Sequence, residues 1–144
     1  MSLTPQELKK ALISAGFEVY RTVGEEVILA DRARENLILA SGVRMRASDP
    51  IEVRLVMGIR RAQFPGEDET SLFDRVRKLA EPLIAEGFSE VGTGVAPVTD
   101  PADQERTLDT FYEVVFAKSE TAFDGAIPSL RLALTVAKTA ESRH

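Results

Sequence analysis

Ile51-Glu52-Val53-Arg54-Leu55-Val56-Met57-Gly58-Ile59-Arg60 decides the fold class. Its odd positions are all aliphatic or Met, and its even positions carry Glu, Arg, Gly and Arg around a single Val. Successive strand residues point to opposite faces, so this period of two predicts a strand with one buried and one solvated side. A one-sided strand belongs to an antiparallel sheet packed on helices, because strands of a parallel sheet are buried on both sides.

Working outward, Val43 and Met45 alternate with Arg44 and Arg46, and Ser48-Asp49-Pro50 supplies a turn between the two runs. Residues 36–41 are read as a further strand, with a short helix over 31–40 as the alternative. Asp31-Arg32-Ala33-Arg34-Glu35 forms a charged break before it. Residues 17–23 and 26–30 form a hairpin about Gly24-Glu25. Before the hairpin, Thr4, Pro5 and Glu7 spell a capping box with proline at the first helical position. Leu8, Ala11, Leu12 and Ala15 share the face of that helix, and Gly16 ends it.

On the other side, Phe64-Pro65-Gly66-Glu67-Asp68 breaks the sheet and opens a second helix. Its stripe is Leu72, Phe73, Val76, Leu79, Ala80, Leu83 and Ile84, stopped at Gly87. Pro82 lacks a backbone donor, so it kinks this helix or splits it. Residues 88–98 and 107–118 read as a strand pair, and a last helix runs from Asp124 or Ile127 to Ala140. The predicted fold is therefore a single α+β domain, a two-layer sandwich of about five to six antiparallel strands and three helices. Its order is α-β(3-4)-α-β-β-α.

Composition limits the chemistry. The 144 residues contain no cysteine, which removes thiolate metal sites, disulfides and cysteine nucleophiles. The only histidine is His144, at the last position, so no histidine general base or Ser-His-Asp triad is expected. No catalytic residue, metal site or cofactor is assigned. With 18 basic and 23 acidic residues the formal charge is −5, which argues against a general nucleic-acid binder. No secretory leader and no apolar run of membrane-spanning length is found, so a cytoplasmic protein is the expectation.

Four arginines form the candidate binding feature. Arg44 and Arg46 share a strand face, as do Arg54 and Arg60, and pairing through the 48–50 turn would collect them opposite the core. A guanidinium fork suits carboxylate or phosphate. The same pattern also fits a solvated sheet face, with Asp109 and Glu113 offsetting the charge. Glu67-Asp68-Glu69 suits a helix N-terminus, and Asp100, Asp103 and Glu105 lack calcium-loop spacing. Gly92-Thr93-Gly94 lacks the third glycine and following helix of a dinucleotide loop, so a bulge or edge device is expected there. Tyr20 and Tyr112 are the only tyrosines, and Tyr112 sits in an apolar run that argues for packing.

The last helix is apolar on several sides. Leu130 and Leu134 fall on one side and Leu132 on the other, with Val136 beside them. One side can cover the sheet, and the other is a candidate contact with a second subunit or a partner protein. The element order resembles the secretion-chaperone-like fold shared by type III secretion chaperones and the YbjN family, over residues 3–16, 17–59, 72–84 and 107–140. That resemblance implies a small acidic homodimer that binds protein segments, and it carries over no catalytic residue. Two other functions stay open: a small-ligand protein or enzyme with an Arg–carboxylate pocket, and a nucleic-acid accessory protein using the arginine stripe.

Overall fold

In a computed structural model, which describes residues 3–34 and 37–142, six antiparallel strands form one sheet with helices packed on one face. The elements are α1 (Pro5–Ser14), β1 (Val19–Val23), β2 (Glu26–Arg34), β3 (Leu37–Arg46) and β4 (Ile51–Arg60), then a 3-10 turn (Arg61–Gln63). They continue with α2 (Glu69–Leu79), α3 (Glu81–Ala85), β5 (Ser89–Asp100), β6 (Asp103–Glu120) and α4 (Phe123–Ser142). The sheet order is β1-β2-β3-β4-β6-β5, and every neighbouring pair is antiparallel. The α+β class and the single antiparallel sheet are those expected from the alternation of β4. His144 and Asn36 lie outside the described residues.

The strand β4 occupies the centre. Ile51, Val53, Leu55, Met57 and Ile59 are all buried, and the intervening positions are not. One continuous core joins them to Val27, Leu29, Val43, Met45, Val114 and Phe116 of neighbouring strands. Leu8 and Leu12 of α1, Leu72 and Val76 of α2, Leu83 of α3, and Leu130 and Ala133 of α4 close it from the other side. The capping box of α1 is formed: Glu7 N–H donates to Thr4 Oγ1 (3.1 Å), and Thr4 N–H donates to Glu7 Oε1 (3.2 Å).

Four boundaries differ from the sequence reading, the simplest being that β5 runs to Asp100 and β6 starts at Asp103, across the connection expected between 98 and 107. The expected second helix is two helices, so the layer has four. Pro82 has no N–H for Lys78, and the chain restarts at Ala80, whose carbonyl accepts from Leu83 N–H (2.9 Å). Asp31 is no break, since β2 continues to Arg34 and pairs Asp31 with Leu39 and Arg32 with Ile38. Finally, the expected strands on either side of Gly42 are one strand, β3, interrupted by a bulge. Leu29 alone spans the interval that Ser41, Gly42 and Val43 fill opposite it. Gly42 takes a φ of +86°, open to glycine at little cost. The Ser41 hydroxyl bridges the irregularity, accepting from Val43 N–H (3.1 Å) and donating to the Leu29 carbonyl (2.9 Å).

Asp68 opens α2 as its N-cap, its Oδ1 accepting from Ser71 N–H at 2.8 Å. That backbone hydrogen bond holds the Asp68 carboxyl below the usual carboxylate range. Its neighbour Glu67 is held low as well, first by the hydrogen bond from Arg75. A folded-state value below the unfolded one means that the cap stabilises at neutral pH and is lost as pH falls through the folded value. Acid titration followed by NMR should therefore show the Ser71 amide shifting with a midpoint below that of an unfolded Asp. Asp68→Asn should keep the cap and abolish this titration. A midpoint at the ordinary Asp value would remove the assigned cap strength.

Candidate functional site

The four arginines lie on the sheet face away from the helices, as their alternation with core residues dictates. Arg44 and Arg54 stand directly opposite one another across β3 and β4, and Arg46 stands opposite Glu52. Arg60 is six residues along β4 from Arg54, roughly 20 Å away at about 3.3 Å per residue. The stripe is thus a cluster of three arginines with a fourth apart.

Each of the three is tied to a carboxylate. Arg44 Nη1 meets Glu26 Oε2 at 3.3 Å, Arg46 Nε meets Glu25 Oε2 at 3.5 Å, and Arg54 Nε donates to Glu52. Like charges facing each other across a ladder destabilise it, and Glu26 and Glu52 flanking the Arg44–Arg54 pair offset that repulsion. The arginine stems also cover apolar surface: the register partners of Arg44 and Arg54 on the outer strands are Ile28 and Ala117, both buried on a face that no helix covers. The cluster roofs the sheet with one carboxylate contact per guanidinium, and the buried Arg44 Nε has no hydrogen-bond partner among the described residues.

Arg60 differs. It is exposed, and among the described residues it makes no ion pair. It stands at the mouth of a cleft of about 430 Å³ lined by Ala40, Ser41, Gly42, Val56, Gly58 and Phe111 among others. The cleft follows from the bulge. Pairing between β3 and β4 runs only from Val43–Leu55 to Arg46–Glu52. Beyond Gly42 the two strands part, so residues 37–42 and 56–60 face a gap with no ladder between them. Phe111 closes one wall by lying over Gly58, where a Cβ would come within 2.2 Å of its ring. Ala137 of α4 also borders the gap.

Two hairpin arms extend from this end of the sheet. Residues 103–110 of β6 run past Arg60, which pairs with Phe111, and carry the end of β5 with them. Residues 37–40 of β3 and their β2 partners form the other arm, with Ile38 and Leu39 exposed. Sequence reading missed the cleft because its cause is a strand bulge, and its only local sign was Gly42, which falls between the two expected strands.

The remaining candidates are placed as follows. Leu130 is fully buried against the sheet and Val136 nearly so, while Leu132 and Leu134 are partly buried against the same core. Tyr112 is buried edge-on to Phe73, ring centroids 5.5 Å apart, and its hydroxyl accepts from Arg61 Nη2 at 2.6 Å. Tyr20 is exposed on β1. Asp109 accepts from Ala62 N–H (3.1 Å) and so fastens β6 to the 3-10 turn. Among the described residues no three His, Cys, Asp or Glu groups converge as metal ligands, and no helix is long and apolar enough to cross a membrane. No family model, curated protein or solved structure matches this chain.

Proposed function

We propose that the chain is a non-enzymatic protein-binding module, whose cleft between β3 and β4 takes an extended segment of a partner polypeptide. The observation that carries this reading is the interrupted ladder. Backbone donors and acceptors require partners, and two strand edges facing an open gap present them to whatever enters. An extended backbone is the ligand that matches such edges, as in β-strand addition. The small side chains of Ala40, Ser41 and Gly42 leave room for it, Phe111 and Val56 offer apolar contact, and Arg60 favours an acidic residue at the mouth. At the arginine cluster Glu25, Glu26 and Glu52 already offset the charge, which makes an anion site there the weaker reading.

The test uses a library of random linear peptides displayed on phage, followed by NMR with the peptides it selects. Selected peptides should be rich in Asp or Glu and should shift the amides of Gly42 and residues 56–60. Val56→Arg puts a bulky charge into the cleft from a half-buried position and should weaken binding by about tenfold or more, with unchanged circular dichroism. Shifts confined to other surfaces, or full affinity in Val56→Arg, would defeat the reading.

A further inference from the structure

The edge strand β5 contains two glycines: Gly92 follows a bulge at Val91, as expected of this stretch, while Gly94 has no such role within the chain. A Cβ built on Gly92 or on Gly94 meets no atom within 4 Å, and neither residue has a left-handed φ. Glycine weakens a strand interior and commonly marks the close approach of another backbone. Here no such backbone comes from the same chain, since β5 has β6 on one side and nothing on the other.

The edge is only lightly protected. Exposed edges are generally blunted by charges, short length, proline or bulges, and β5 uses only the last two, Pro97 and a bulge at Val91. The opposite edge, β1, has five residues, an arginine and an irregularity at Tyr20. By contrast β5 has twelve residues, and from Val91 to Thr99 none is charged. Val91 and Val95 are 53% and 52% exposed. The one charge beside them, Glu90, is held by Arg77 through paired bonds of 2.7 and 3.1 Å. A bulge at Val91 and the missing N–H of Pro97 bracket the free edge.

The sequence of this edge is its own mirror: Val91-Gly92-Thr93-Gly94-Val95. We infer that a second copy of the chain pairs with it, β5 against β5 antiparallel, about a two-fold axis through Thr93. In an isologous contact residue i meets j and j meets i. Val91 then meets the partner copy's valine at position 95, each Gly92 meets a glycine, and Thr93 meets itself. Two six-stranded sheets become one of twelve, and the glycines leave space for the cross-strand approach of the two backbones. Antiparallel pairing places identical strands in register without like charges opposed, because the run holds none. This contact is separate from the peptide cleft, which lies between β3 and β4 on the far side of β6.

Native cysteine is absent, so one introduced thiol reports the register. Directly opposed strand residues have Cβ atoms about 4.5–5.5 Å apart, close enough for a disulfide after small adjustments. Under mild oxidation Thr93→Cys should convert mostly to a covalent dimer, at least about tenfold faster than Ala96→Cys, whose partner at the axis would be residue 90. Sedimentation equilibrium should show the wild type as a dimer, and Val95→Lys should raise its dissociation constant by about tenfold or more. A dimer in which Thr93→Cys cross-links no faster than Ala96→Cys and Val95→Lys has no effect would place the contact elsewhere. A monomer at high micromolar concentration would overturn the contact outright, leaving the peptide assay to decide the cleft separately.

Discussion

Leu55→Ala should lower the free energy of unfolding by about 2–5 kcal/mol, and Arg54→Ala, its chain neighbour, by less than about 1 kcal/mol. Leu55 is fully buried at the middle of β4, paired with Val43 on one side and Phe116 on the other. Removing its isobutyl group forfeits the transfer energy of those carbons and leaves a cavity that two strands and the helix layer cannot collapse to fill. Arg54 donates to Glu52 from a half-buried position, and its loss also relieves the facing charge of Arg44. Those effects oppose each other, so the net change is small. Urea melts of the two variants measure the difference directly. Comparable losses would mean that β4 is turned over, with Arg54 rather than Leu55 on the helix side.

That facing was legible because the nine residues from Ile51 to Ile59 place an aliphatic or Met side chain at every odd position, and one core face fixes register. The α1 boundaries were equally legible, since Thr4, Pro5 and Glu7 act through bonds only three residues long. Pro82 announced a break whose outcome, a kink or two helices, depended on where Ala80 and Leu83 could pack. The β2–β3 arm was harder to read. Arg32 and Arg34 look like a loop by composition, yet the backbone there continues β2 and pairs with Leu37 and Ile38 of β3.

The candidate site was legible only in part. Four arginines were visible, but the carboxylate partners of three of them, Glu25 in the β1–β2 turn, Glu26 on β2 and Glu52 on β4, become neighbours only once the register is known. Arg60 belongs with the others by sequence pattern and apart from them by geometry. The face of α4 is similar. Its Leu130, Leu132, Leu134 and Val136 suggested a helix with apolar surface to spare, and the sheet with α3 takes up part of it, burying Leu130 fully. Exposed apolar surface also lies on β5, at Val91 and Val95.

Gly42→Val should destabilise the protein by about 3 kcal/mol or more, the larger of the two backbone effects expected in the sheet. Two independent costs combine. At a φ of +86° a β-branched residue places its Cβ against its own carbonyl, which costs roughly 1–2 kcal/mol. A Cβ at this position also comes within 2.6 Å of the Val56 carbonyl oxygen, a backbone atom that cannot swing aside as a side chain would. Relief requires β3 to move away from β4, and the pairs from Val43–Leu55 to Arg46–Glu52 hold it in place. Ser41→Ala provides the comparison. It removes the hydroxyl bridge to Leu29 and Val43 but leaves the bulge sterically intact, and should cost only about 1 kcal/mol. If Gly42→Val unfolds no more readily than Ser41→Ala, the bulge is not the fixed hinge of the sheet. The gap between β3 and β4 would then close without penalty. If the larger loss is found, the left-handed turn at Gly42 is what holds the two strands apart, and the cleft is built into the backbone rather than left over from packing.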